Sequence, residues 1–350
     1  MIDLTIDLPA AHPPEPNDAP LRPLLTPLPQ EGHYLLVLDN TSMEVFTRCP
    51  TAGRYRLVNR REAHARNAAL TFGGALHEGL QALLRGLPEN DQDQAILQYF
   101  AENPAPPDEY RTPVLALQVM RHYRFRQSLP DYEWSVLSDP EPLIERPFEL
   151  PLGVLDVNAP IQLPNWPEPR LVKVVHVAWS GKIDLIAHTN SRNRVVDHKT
   201  TSVAGDTYVP GFVLSHQTIG YVWAAQQIWP DLDVTGFCLN AIYLKRPLPG
   251  TINLLAKGPR QGLPPLDFFR AYFDYSPERL DQWERNSLTL AEDFVHCLIR
   301  RYFPMFTHHC FNKFGRCQYH DICTLDDPAV RQRMLDSDMY RDVTWSPTGQ

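Results

Sequence analysis

The sequence predicts an α/β fold, a mixed β-sheet flanked by helices, from three observations. Apolar residues recur at helical spacing within residues 42–128, and short runs rich in Val, Ile and Leu, separated by turn residues, fill 143–200. A further helix and strand follow, which gives the order β-β-β-α-β and makes that helix the crossover of a mixed sheet.

Each element has a local reason. Ser42 is placed to cap a short helix carrying Val45 and Phe46, which ends at Cys49-Pro50 because proline disfavours helix in the residue before it. Leu76, Leu80, Leu83 and Leu84 recur at helical spacing from Gly74 to Leu84 and set His77 beside a buried stripe. Two more helical stretches are expected near 92–102 and 108–128. Strands are expected at 143–150, 171–179, 182–188 and 194–200, then a helix over 214–228 and a strand over 234–244. The Pro/Gly-rich stretch 247–265 reads as a long surface loop, and Ser276-Pro277-Glu278 starts a helix that runs to about residue 302.

At 350 residues with 43% hydrophobic and 21% charged, the chain buries a sizeable core, which excludes a wholly disordered chain, a disulfide mini-protein and a fibrous repeat. Proline, at 34 residues, is the outlier, and residues 1–32 are expected to form a proline-rich flexible arm. Residues 33–350 are expected to form one domain, with a helical part at 42–130, a core at 140–245, and a C-terminal helix and cysteine loop at 276–323. The formal charge of −8 supplies no global positive field, so any nucleic-acid contact must come from a local patch or from metal ions. No Lys or Arg precedes Arg22, and the early apolar run Tyr34 to Leu38 is too short for a signal core or a membrane span. A cytoplasmic protein with no membrane contact is the expectation.

The chemistry concentrates in Gly181-Lys182-Ile183-Asp184 and Arg194-Val195-Val196-Asp197-His198-Lys199. Side chains alternate along a strand, so Asp197 and Lys199 share a face, His198 takes the other, and a neighbouring strand can bring Asp184 alongside. Burying two carboxylates with a lysine is unfavourable unless a metal or charge partner compensates. Paired carboxylates offer hard oxygen ligands to Mg²⁺ or Mn²⁺, which polarise a phosphodiester and lower the pKa of a bound water, while Lys199 orients that water or neutralises developing charge.

Gly-x-x-Asp, Asp-x-Lys thirteen residues later, Gln217 and Tyr221 four apart on the next helix, and His77 on an early helix together resemble the RecB-like branch of the PD-(D/E)XK nuclease superfamily. The resemblance spans most of residues 42–323 and implies a restriction-endonuclease-like core. It implies that His77, Asp184 and Asp197 bind the metal, with His198 contributing through its main chain. It assigns Lys199 to catalysis, and Gln217 and Tyr221 to support of the site and contact with DNA. Ile183 stands where the family usually has proline, and Asp197 where it more often has glutamate; neither removes a ligand. Glu145, on the preceding strand, offers a further acid near the metal, but a solvent-facing strand glutamate is the reading favoured.

Cys310, Cys317 and Cys323 follow one another closely in a loop where a packed core has no need of three thiols, and Cys49 is the fourth candidate ligand for a tetrahedral sulfur site. Cys238 and Cys297 sit in apolar segments and belong to the core. The four resemble the staple of AddB-type and CRISPR-associated RecB-like nucleases, which implies a [4Fe–4S] cluster; zinc is the runner-up, since spacing does not separate the two.

Arg48, Arg54, Arg56, Arg60, Arg61 and Arg66 face one acid, Glu62, and with Tyr55 form the expected track for single-stranded DNA or duplex ends. Arg121, His122, Arg124 and Arg126 are expected as an opposite wall. The leading expectation is a Mg²⁺/Mn²⁺-dependent deoxyribonuclease, more an exonuclease on ends or single strands than a sequence-specific enzyme. A non-catalytic DNA-binding or assembly subunit is the alternative, and an RNA-directed or nucleotide phosphodiesterase a third. No Gly-x-x-x-x-Gly-Lys-[Ser/Thr] loop occurs, so any unwinding motor is another chain; a helicase, recombination, repair, CRISPR or phage partner would supply the pathway.

Overall fold

The computed structural model describes residues 23–63, 68–106, 108, 110–129, 132, 134–245, 266–312 and 315–343. In chain order these form β1 (Thr26–Pro27), β2 (His33–Leu38), α1 (Asn40–Arg48), α2 (Pro50–Gly53), a π-helical turn (Arg54–Val58) and β3 (Arg61–Ala63). Next come α3 (Ala68–Leu84), α4 (Glu89–Glu102), α5 (Pro113–Gln127), β4 (Ser135–Val136), β5 (Ile144–Ile161), β6 (Arg170–Thr189) and β7 (Arg192–Thr201). Short α6 (Gly205–Tyr208) and α7 (Pro210–Val213) precede α8 (His216–Ile228), β8 (Val234–Leu244), β9 (Leu266–Asp274) and the long α9 (Pro277–Arg300). The chain closes with β10 (Phe311–Asn312), β11 (Gly315–Arg316), α10 (His320–Cys323), α11 (Pro328–Leu335) and β12 (Tyr340–Asp342).

These elements form two compact units. One takes the chain up to Ala63, Pro147–Lys182, and everything from Glu284 onward; the other takes His64–Arg146 and Ile183–Trp283. Both draw on the stretch 33–350 expected as one domain.

In the first unit β2 pairs in parallel with β6, from His33 opposite Val174 to Leu38 opposite Trp179, and β3 pairs antiparallel with β12. Cys49, Ala52, Tyr55, Tyr319, Ile322, Leu335 and Tyr340 form one buried cluster, which joins the start of the chain to its last helices. Thr51 reinforces that junction: its N–H donates to Pro304 O at 3.1 Å and its hydroxyl to Phe303 O at 2.8 Å.

In the second unit the sheet order is β4-β6-β7-β8-β9. β7 and β8 are parallel, the other pairs antiparallel, and α8 is the crossover between them, as the β-β-β-α-β order requires. Against this sheet lie α3, α4 and α5. Phe72, Leu76 and Leu80 of α3, Ile96 of α4, and Leu115, Val119, Met120 and Tyr123 of α5 share a core with Ile242 and Leu244 of β8 and Leu266 and Phe268 of β9. α3 and α4 touch at Gly79, where an added Cβ would lie 2.7 Å from Ile96 Cδ1.

Several expectations shift. Asp39 caps α1 and accepts the Ser42 N–H at 2.7 Å, so Ser42 supplies an amide in place of a capping hydroxyl. The strands expected at 171–179 and 182–188 are one continuous β6, with Ser180 and Gly181 both buried inside it. A strand covered on both faces loses the alternation that marks its turns, and small residues then read falsely as a break. β9 was not foreseen, since it follows a stretch dominated by proline and glycine. The expected loop at 247–265 and residues 1–22 of the expected arm lie outside the described residues. Within the rest of that arm Thr26 and Pro27 pair with Leu35 and Tyr34, and Leu25 is fully buried.

Gly236 on β8 faces β9 so closely that a Cβ would lie 2.5 Å from the Phe273 carbonyl oxygen, a backbone atom that cannot rotate away. Gly236→Ala is expected to destabilise the protein by about 2 kcal/mol, read as a lower urea midpoint with an unchanged slope.

Candidate active site

Every residue of the expected catalytic set falls within the second unit. The β6–β7 ladder ends at Leu185 opposite Val196; continued by one residue it would set Asp184 opposite Asp197, on one face. Beyond that point β7 pairs only with β8, from Asp197 opposite Leu239 to Thr201 opposite Tyr243. Where the two strands part, Asp184 Oδ2 accepts the backbone N–H of His198 at 3.1 Å.

His77, from α3, points its Nε2 at Asp184 Oδ2, 3.0 Å away, and its Nδ1 at Glu145 Oε1, 3.6 Å away. His77, Glu145 and Asp184 each offer a ligand atom within 4.8 Å of the other two, and among the described residues no other trio of His, Cys, Asp or Glu does so. Lys199 closes the other side, its ammonium 2.8 Å from Asp197 Oδ2 and 2.9 Å from Oδ1. Gln217, on α8, donates to Asp197 Oδ1 at 3.4 Å, and Tyr221 is buried one turn further along. Although Lys199 Nζ is near Asp197 Oδ2, no donor is well aligned with that oxygen.

The electrostatics show a shortage of positive charge. Burial alone would lower the pKa of His77, but Asp184 and Glu145 outweigh it and raise it well above the ordinary histidine value. Without a metal, the two carboxylates thus favour the protonated form of the His77 ring between them. Burial opposes ionisation of Asp184, yet His77 and Lys199 bring its pKa well below the usual carboxylate range. Asp197 is the group left over: burial and the Asp184 charge raise its pKa in spite of Lys199. A divalent ion fits the trio His77, Glu145 and Asp184, where its charge would take the place of a proton on His77; Asp197 is not within the same 4.8 Å set.

Behind this face a row of polar side chains runs across three strands, since His198 on β7 lies opposite Asn240 on β8, which lies opposite Arg270 on β9. Asn240 Nδ2 donates to His198 Nδ1 and to Tyr123 Oη, both at 2.8 Å, while its Oδ1 accepts from Tyr132 Oη at 2.8 Å and Arg270 Nε at 3.2 Å. The Arg270 guanidinium lies 3.7 Å from the ring centroids of both Tyr132 and Trp134. Burial and the His77 charge lower the His198 pKa to about 3, which keeps the ring neutral. The side chain of His198 thus anchors β7 from the opposite face, as strand alternation requires.

Glu145 is the residue that sequence reasoning named but set aside as solvent-facing. It sits at φ 54° at the start of β5, so its side chain leaves the strand alternation, and that side chain is only 8% exposed. Alternation makes it a surface position; the left-handed backbone turns it inward.

Residues 40–324 match the sequence profile of the PD-(D/E)XK nuclease superfamily. The chain belongs to that superfamily. No curated protein matches the sequence. Two solved structures are similar: a proposed exonuclease from Eubacterium rectale, 11% identical with a TM-score of 0.40, covering 83% of this chain and 90% of that one, and SSO0001, 15% identical with a TM-score of 0.31, covering 82% and 85%. The assignment rests on the profile and not on these two.

In this PD-(D/E)XK protein the remaining expected residues are arranged differently. Tyr55 is 8% exposed with its ring against Tyr319, so it is a core residue and not a stacking platform for a base. Arg56 is paired with Glu62, Arg61 with Asp342 at 2.8 Å, and Arg48 with Glu44. Arg60 takes φ 55° and is half-buried, while Arg54 is exposed; Arg66 lies outside the described residues. The continuous arginine track is therefore broken up by ion pairs that the linear sequence conceals, two of which tie 56–62 together and to the C-terminal segment. On α5, Arg124 is likewise paired with Asp93.

Cys49, Cys317 and Cys323 belong to one packed cluster, and the Cys317 N–H donates to Cys310 O at 2.8 Å. Their sulfur atoms do not converge into a trio within 4.8 Å, so the staple is not a closed ligand set.

The raised pKa of Asp197 fixes a sign. Its contribution to stability is fully present below the ordinary aspartate pKa and is lost as pH rises through the raised value. Asp197→Asn is therefore expected to flatten this part of the pH profile and to raise the melting temperature of the metal-free protein at neutral pH. Thermal melts in chelator from pH 4 to 8 check this.

Proposed function

We propose that the protein is a Mg²⁺- or Mn²⁺-dependent deoxyribonuclease that hydrolyses phosphodiester bonds at DNA ends or in single strands. The observation that carries this reading is the convergence of His77 and Asp184 beside the Asp197–Lys199 pair in a chain of the PD-(D/E)XK superfamily.

His77 Nε2, Asp184 and Asp197 would hold the ion, with the main chain of His198 beside them. When bound, the ion supplies polarisation of the scissile phosphate and a more acidic water. The protein's own residues do the rest. Glu145 faces His77 Nδ1 and holds its tautomer and ring orientation, the arrangement in which a carboxylate steers a ligating histidine. Lys199, with its pKa raised by Asp197 and Asp184 against the opposing effect of burial, stays an ammonium and offsets charge that develops on the phosphate. Gln217 fixes Asp197, and Tyr221 sits in hydrogen-bonding reach of Gln217.

Cleavage of end-labelled DNA tests this. Asp184→Ala and Lys199→Ala are each expected to lower the rate by about 10³-fold or more, and chelator to abolish it. Glu145→Gln is expected to weaken metal affinity by about 10–100-fold. Wild-type rates in the first two variants would refute the site.

We also propose that Cys49, Cys310, Cys317 and Cys323 hold a [4Fe–4S] cluster that joins the two ends of the first unit. All six cysteines are free, which suits a reducing, cytoplasmic setting. Zinc–sulfur bonds of about 2.3 Å would draw four thiolates to about 3.8 Å from one another, and no trio approaches within 4.8 Å. A polynuclear cluster occupies the space between more widely set thiols. Anaerobically purified protein is expected to be brown, with the colour lost in Cys317→Ser; a colourless protein containing zinc would overturn the cluster. Any DNA unwinding would fall to a partner chain in recombination, repair, CRISPR or phage processing.

A further inference from the structure

Once the ion pairs are assigned, one guanidinium of the 48–61 stretch, that of Arg54, stays exposed without a carboxylate partner among the described residues. It lines a cleft of about 270 Å³ in the first unit, and Arg301, from the far end of α9, lines the same cleft. Neither is paired with an acid among the described residues.

Arg301 takes φ 53° immediately after α9. Its N–H donates to Leu298 O and that of Tyr302 to Cys297 O, both at 3.2 Å, which is the helix-ending turn where glycine is the unstrained residue. An arginine at this left-handed position carries backbone strain, and such strain concentrates where a side chain has a task. The walls are apolar, from Val58, Leu163, Leu298 and Phe303, and they are fixed in place. Gln162 Nε2 donates to Leu163 O at 2.9 Å and Trp166 O at 2.7 Å, and the Thr51 hydroxyl holds Phe303 O. Asn59 also lines the cleft, and its Oδ1 is shielded from solvent without a hydrogen-bond donor.

Two cations beside an apolar slot describe a ligand that is anionic at one end and flat and apolar along its body. We propose that this cleft binds one nucleotide of the DNA strand, with its phosphate on Arg54 and Arg301 and its base against Val58 and Phe303. Guanidinium forks suit phosphate oxygens, and the small volume suits a single unpaired nucleotide over a base pair. The substrate would then be a single strand. This rests on the reading of the protein as a DNA nuclease.

Fluorescence anisotropy of a labelled single-stranded oligonucleotide, with the full chain in chelator so that nothing is cut, tests it. Arg54→Ala/Arg301→Ala is expected to weaken binding about tenfold or more and to lower the slope of log affinity against log salt by about 0.7, one phosphate's worth. Val58→Trp, which fills the slot and keeps both charges, is expected to weaken binding while leaving the salt slope unchanged. Deoxyadenosine monophosphate is expected to displace the oligonucleotide where inorganic phosphate at the same concentration does not. Wild-type affinity and salt slope in the double variant would overturn the proposal, as would equal displacement by phosphate, which would mark an anion site only. Failure of the nuclease reading looks different: the wild type would not cleave DNA with Mn²⁺ present, while the mononucleotide titration, which needs no cleavage, would still decide on the cleft.

Discussion

Two aspartates that must be buried side by side dominate this molecule. Asp184 and Asp197 sit where β6 and β7 part, and their mutual repulsion in a poorly solvated place has to be met by positive charge. His77 and Lys199 supply part of it from two sides, which explains why a helix far back in the chain must dock on this sheet. The packing of α3 against α4, α5, β8 and β9 is in this sense scaffolding for one imidazole. The cross-strand row His198, Asn240 and Arg270 holds β7 from the face opposite Asp197, where the His198 ring also meets the His77 ring edge to face.

Much of this was legible in the sequence because strands impose a period of two. Asp197 and Lys199 on one face and His198 on the other follow from alternation alone, and β8 runs over the residues its apolar run marks out. The thirteen-residue step between the aspartates fits a tight antiparallel return through Asn190 and Ser191, both at positive φ. Glu145 was set on the surface because its exposure depends on a backbone angle that no residue pattern announces. The Asn240 network escaped for a different reason: its members come from β7, β8, β9 and α5, and no linear motif gathers them.

The arginines show the opposite failure, in which a conspicuous sequence feature dissolves in three dimensions. A run of six reads as a basic surface only while its acids are invisible. Glu62 takes Arg56 and also Arg341, and Asp342 takes Arg61, so charge that looked like a binding track instead fastens β3 to β12. What survives is local, and it gains its second cation from a residue some 250 positions away. In a chain of net charge −8, positive charge left outside ion pairs is thereby confined to local points among the described residues.

The unbroken course of β6 has a consequence for how such a protein can diverge. Val174–Trp179 pair with β2 and Leu185–Thr189 with β7, so each end of the strand has a fixed register. Adding or deleting one residue within Leu185–Thr189 would shift Asp184 by one position against β7 and turn its carboxylate to the other face. Length variation among descendants of this chain should therefore accumulate in its hairpins and connecting loops, with that strand conserved in residue count even where its composition drifts.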